Sequence, residues 1–165
     1  MLSVDTRAVF LQHIMQRHSN DCVVATAAMV AGVTYDTAAA RSIVPVGERA
    51  LSASETVSVL EAVTGVSWIG PKFAWWQPIR YILGKDCPVV VAIRRPWRFR
   101  TFQHCVPVHD GYVNDPEFVR PVLMNKYERR HWTVVEIYRP AVVGQLMEVL
   151  RYHRRQRSGM RACLS

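Results

Sequence analysis

The chain has 165 residues, half of them apolar and 21% charged, with a formal net charge of +8. That length fits one domain with a real core, and the ordinary charged fraction excludes a disordered chain. The longest uncharged run, Cys22 to Tyr35, is too short to span a bilayer.

In chain order, "MLSVDTRAVFLQHIMQ" carries Asp5 and Arg7 and lacks a continuous apolar signal region, which points to a cytoplasmic protein. Residues 22–32 are apolar on every side at helical spacing and predict a central helix. Asn20 and Asp21 are N-cap types just before it, and Gly32 can end it. Asp36 is positioned to cap a short second helix over "TAAARS". Ser52 and Glu55 stand at capping-box spacing, and Gly65 stops the third helix.

"GVSWIGPKFAWWQP" reads as loop or edge material, and "QPIRYILGKD" as a short helix ending at Gly84. The period then changes. "PVVVAI" suits a buried strand. "HCVPV", a turn at "HDG" and then "YVND" predict a hairpin, although Pro107 counts against a central position for its strand. "WTVVEIY" is another strand, and Ala141 to Arg155 predicts an amphipathic helix with Val142, Leu146, Val149 and Leu150 on one face. Helices followed by strands indicate an α+β fold, with helices packed on a mostly antiparallel sheet. Residues 139–165 hold six arginines against Glu148, a local charge of +5, so the first 138 residues carry only +3. We divide the chain into a domain over 1–140 and a basic amphipathic tail over 141–165, and expect truncation after Pro140 to preserve chemistry.

The four cysteines, Cys22, Cys87, Cys105 and Cys163, form no CxxC pair and no zinc spacing, so reduced thiols and no metal or other cofactor are expected. Cys22 sits at the mouth of the apolar helix. There the helix dipole and free N–H groups favour a thiolate and can hold a developing oxyanion. A small buried hydrophobe is the plainer reading of any lone cysteine, so a base is required. His104 opens the strand "HCVPV", and a turn around His109 and Asp110 would pair it with Asp115, which can fix the tautomer of an imidazole. Gln16, across a short polar loop from Cys22, is a candidate oxyanion donor, with Gln12 its competitor.

Gln16, separated by five residues from the cysteine of "DCVVATAAMV", and that stretch resemble the glutamine–cysteine helix of papain-like cysteine peptidases. Within that class the chain is most similar to the bacteriocin-processing peptidases that cleave after double-glycine leaders, together with their stand-alone relatives. "GKDCPVVVAI", "HCVPV" and "VNDP" follow in that family's order, and "YERRHWTVVEIY" resembles the late aromatic segment and last strand of the stand-alone relatives. The resemblance covers roughly residues 12–138. It implies a papain-like fold with Cys22 as nucleophile, His104 as base, Asp115 as its orienter and Gln16 as oxyanion donor. It further implies a peptide- or isopeptide-cleaving activity on a protein or peptide substrate. Val23 follows the nucleophile where the family often has glycine. No transporter is attached in this sequence, so the family's export role and double-glycine specificity are not carried over.

The same acyl-enzyme chemistry on a glutamine side chain would give a deamidase or transglutaminase. A non-enzymatic alternative starts from "RRPWRFR", whose arginines interleave with Trp97 and Phe99 and could track phosphates and stack nucleic-acid bases. On the enzyme reading this loop lines the cleft, with Trp97, Arg98 and Arg100 binding substrate and drawing acidic segments. A metal site from Cys22, Cys105, His104 and His109 is disfavoured, because His104 and Cys105 alternate to opposite faces of a strand.

Overall fold

The computed structural model describes residues 11–82, 84–94 and 103–162. Three helices come first: α1 (Cys22–Ala31), α2 (Tyr35–Arg41) and α3 (Ala53–Thr64). Six strands follow: β1 (Trp68–Pro78), β2 (Val89–Arg94), β3 (Gln103–His109), β4 (Tyr112–Val113), β5 (Val122–Leu123) and β6 (Thr133–Pro140). A last helix, α4, spans Val143–Ala162. The strands form one sheet in the order β1-β6-β2-β3-β4-β5, with every pairing antiparallel. The fold is α+β, as the order of elements predicts. Among the described residues no single helix is long and apolar enough to cross a membrane.

The apolar run of α1 is explained by its place: every residue from Val23 to Ala31 is buried. Gly32 ends it with φ 69°, returning its N–H to Ala28 and Met29. Asp21 holds the N-cap position, yet its side chain makes no cap hydrogen bond. Its Oδ2 instead accepts N–H bonds from Arg17 (3.2 Å) and His18 (3.1 Å) and the Tyr35 hydroxyl. Asp21 therefore organises the preceding loop, and the first turn of α1 is left without a side-chain cap.

Thr34, not Asp36, caps α2, accepting from Thr37 N at 3.2 Å. The helix starts at Tyr35, which puts Asp36 in its first turn, paired with Arg17 at 2.6 Å. The capping box of Ser52 and Glu55 forms as predicted, and Gly65 ends α3. The helix predicted over "QPIRYILGKD" shrinks to a 3-10 turn at Ile79–Tyr81. Ile79 N and Arg80 N bond the carbonyls of Trp132 and Arg130, so this backbone continues the pairing with the chain leading into β6 and cannot close a helix.

Side-chain alternation divides the sheet into two faces. Val90, Ala92, Cys105 and Tyr138 join the helices in one core. Val89, Val91, Ile93, Val106 and Val108 join Ile79, Met124 and Tyr127 in a second core on the opposite face. Because β2 is covered on both faces, its sequence is apolar from Val89 to Ile93. The edge strand β1 lies close over β6: a Cβ at Gly70 would stand 2.6 Å from the Tyr138 ring.

α4 is amphipathic as predicted, with Leu146 and Leu150 buried in the helix-side core, whereas Val142 is exposed. It crosses the end of α1, where a Cβ at Gly32 would meet His153 and Leu150 at 3.4 and 3.5 Å. The tail segment thus contributes to the core of the domain.

The hairpin turn is Asp110–Gly111, with φ 49° and 77°, the left-handed pair that Asp-Gly favours in a two-residue turn. His109 consequently pairs with Tyr112 and Val108 with Val113, two residues out of the predicted register. His104 and Asp115 are not ladder partners. Asn114 N donates to Pro107 O at 3.0 Å, and proline has no N–H to return the bond. Pairing of β3 with β4 stops there, and the chain turns freely beyond Asn114.

Candidate active site

α1 is fastened to β3 by Thr26, whose hydroxyl donates to the Cys105 carbonyl at 3.0 Å. That contact sets the start of α1, with Cys22, beside the start of β3, with His104. Cys22 is partly exposed, while Cys87 and Cys105 are buried. Cys22 and His104 line the same cleft, and Cys22 stands near enough to help raise the pKa of the imidazole. His104 Nε2 lies 2.6 Å from Asp115 Oδ1, which leaves Nδ1 as the nitrogen able to face the sulfur. Glu117 Oε1 is 3.8 Å from Nδ1. His104 and Asp115 are 1% and 0% exposed, so this pairing operates away from water.

Asp115 is a fully engaged carboxylate. Oδ1 also accepts from Glu117 N (2.9 Å), and Oδ2 accepts from the Tyr127 hydroxyl (2.6 Å) and Arg129 Nη1 (3.0 Å). Burial works against its charge, but His104, Tyr127 and the Glu117 N–H hold its pKa below the usual carboxylate value. Burial likewise opposes the imidazolium of His104, yet the hydrogen bonds and charges of Asp115 and Cys22 prevail, and its pKa is pushed up to about 9. Burial, and then the charge of Asp115, raises the Tyr127 pKa, which keeps that hydroxyl a donor. Burial raises the thiol pKa of Cys87 and of Cys105.

Gln16 is tied to the same loop through its N–H, which donates to Pro116 O at 2.9 Å. Its Oε1 is buried with no protein partner, whereas Gln12 is exposed. The cleft beside the sulfur is lined by Ser19, Asn20, Cys22, Val23, Ala50, Leu51, Thr56, Ala92, Gln103, His104, Cys105, Glu136 and Tyr138. Gln16 stands outside that lining. Trp97, Arg98 and Arg100 lie outside the described residues.

Among the described residues one group of donors could hold a metal ion: atoms of His104, Asp115 and Glu117 lie within 4.8 Å of one another. Arg129 already supplies the cation there, pairing with Asp115 at 3.0 Å and Glu117 at 2.5 Å. His109 is engaged elsewhere, its Nδ1 3.0 Å from the Gly84 carbonyl. Sequence reasoning missed Glu117, Tyr127 and Arg129. A signal existed for the first, since Asp-Pro-Glu suits a turn in which the aspartate accepts the N–H two residues on. Tyr127 and Arg129 reach Asp115 only through tertiary packing.

The cradle changes what Asp115→Ala is expected to do. Sequence alone suggests lower activity in an intact fold, but the substitution leaves Arg129 and the Tyr127 hydroxyl without their acceptor. Removing one partner of a buried ion pair costs about 3–5 kcal/mol. Urea unfolding should show a loss of that order, and Asp115→Asn a smaller one. Equal stability of Asp115→Ala and wild type would mean that the cradle carries no weight.

No family model, curated protein or solved structure matches the chain.

Proposed function

We propose that the chain is a papain-like thiol hydrolase that cleaves a peptide or isopeptide bond in a protein or peptide substrate. The observation that carries the reading is the meeting of Cys22 and His104 in one cleft, with the imidazole 2.6 Å from a carboxylate anchored by Tyr127 and Arg129. An imidazolium maintained at neutral pH favours a thiolate beside it. The sulfur attacks the substrate carbonyl and forms a C–S bond. His104 gives its proton to the leaving amine as the C–N bond breaks. Water, deprotonated by His104, then releases the acyl group and regenerates the thiolate. The uncapped first turn of α1 offers backbone N–H groups to the oxyanion.

Gln16 is the side-chain candidate for the same oxyanion, and Gln16→Ala should lower turnover on the order of 10²–10³-fold. Unchanged turnover would leave that role to the backbone alone. To test the activity itself, the protein is incubated with a complex peptide mixture and the products are analysed by mass spectrometry against Cys22→Ala. New termini that depend on Cys22 support hydrolysis. Mass gains of a deamidated glutamine reassign the acyl-enzyme to glutamine side chains, and identical products in both samples overturn the reading.

A further inference from the structure

The cleft beside Cys22 also contains an acid that the proposed chemistry does not use. β6 is irregular where it meets β2: Ile93 pairs with Val134 and Ala92 with Glu136, so Val135 is an extra residue. Val134 therefore lies in the core opposite the helices, while Glu136 shares the helix-facing side with Tyr138 and lines the cleft. Strand bulges commonly re-aim side chains beside functional sites.

Glu136 Oε2 accepts the Tyr138 hydroxyl. Tyr138 is buried, and that burial raises its pKa, so it solvates the carboxylate without neutralising it. Among the described residues the salt bridges join Arg17 to Asp36, Arg49 to Glu55, and Asp115 and Glu117 to His104 and Arg129. None engages Glu136. A half-buried carboxylate thus faces the cleft with a hydroxyl as its partner and, among the described residues, no ion pair.

Glu136 and Cys22 line the same cleft, and the sheet fixes the position of Glu136 relative to the strand that carries His104. Ala92 pairs with Cys105 on one side and Glu136 on the other, so Glu136 is two strands from the residue next to His104. Two interstrand steps of about 4.8 Å make roughly 10 Å. Because Cys22 lines the same cleft, a long side chain one or two residues from a carbonyl held there can reach Glu136.

We propose that Glu136 determines specificity by binding a lysine or arginine side chain of the substrate within two residues of the scissile carbonyl. This rests on the thiol-hydrolase reading and names its substrate class. The expectation of acidic substrate segments draws on Arg98 and Arg100, outside the described residues; the described lining carries the opposite charge.

The test uses peptidyl fluoromethyl ketones that differ at one position, lysine, norleucine or glutamate, placed next to the reactive carbonyl or one residue further. Labelling of Cys22 is followed by intact and peptide mass spectrometry. In the wild type the lysine probe should label faster than its norleucine counterpart by roughly 10- to 100-fold, the range of a charge-assisted hydrogen bond. Glu136→Gln, which keeps the shape and an acceptor for Tyr138, should erase that preference, and Glu136→Lys should invert it toward glutamate. Equal lysine and norleucine rates in the wild type, or a lysine preference that survives Glu136→Gln, would overturn the proposal while leaving the hydrolase reading intact. If none of the peptide probes, and no small iodoacetamide, labels Cys22 in a His104-dependent way, the hydrolase reading fails and takes the proposal with it.

Discussion

His104→Ala is expected to remove the preferential alkylation of Cys22 at pH 6–7 and to abolish turnover. The thiol would lose both the neighbouring imidazole and the positive charge that Asp115 maintains on it. General acid–base help of this kind is worth on the order of 10²–10⁴ in rate. In the wild type, iodoacetamide should modify Cys22 ahead of Cys87 and Cys105, which are buried and whose thiols burial drives toward the neutral form. Reaction at Cys87, Cys105 or Cys163 first would sink the assignment. A second readout is stability against pH. The His104 pKa rises from its ordinary 6.5 to about 9 in the fold, so the folded state binds the proton more tightly. The resulting stabilisation is complete below about 6.5 and disappears as pH climbs through about 9. The melting temperature of the wild type should fall across that window, and that of His104→Ala should fall less.

Truncation after Pro140 is the second change with a large expected effect, and its direction is the reverse of the one sequence suggests. It deletes α4 and with it Leu146 and Leu150, which are 0% and 3% exposed in the core shared with α1. Losing a buried leucine side chain typically costs about 2–5 kcal/mol, against a total stability of about 5–15 kcal/mol for an ordinary domain. The truncated chain should lose its cooperative thermal transition, and Leu146→Ala alone should lower the urea midpoint clearly while the chain still folds. A truncated chain that melts like the full one would show that the leucines add little.

What the sequence disclosed was local. The Ser52–Glu55 box, the stops at Gly32 and Gly65 and the apolar run of β2 depend on neighbours within a few residues, and each stands where the residues place it. Asp36 shows the limit of that reading: an apt capping residue lost the position to Thr34 because α2 begins two residues earlier. The meeting of His104 with Asp115 was legible as a contact, but through the wrong register. The Asp-Gly turn and Pro107 end the ladder early, and the aspartate arrives from a turn. Tyr127 and Arg129, which anchor it, and Leu146 and Leu150, which close the core, act across distances that no local pattern encodes.

The division of the sheet into two cores bears on when the site comes into being. Cys22 belongs to the helical layer, whereas His104 and Asp115 are held from the layer that includes Tyr127. A ribosome releases Cys22 early and Arg129 late, with the leucines of α4 later still. The sulfur therefore leaves the exit tunnel with no base beside it, and meets one only when both layers have closed on the finished sheet. On the proposed reading, an emerging chain therefore has no armed nucleophile to turn against its own unfolded segments.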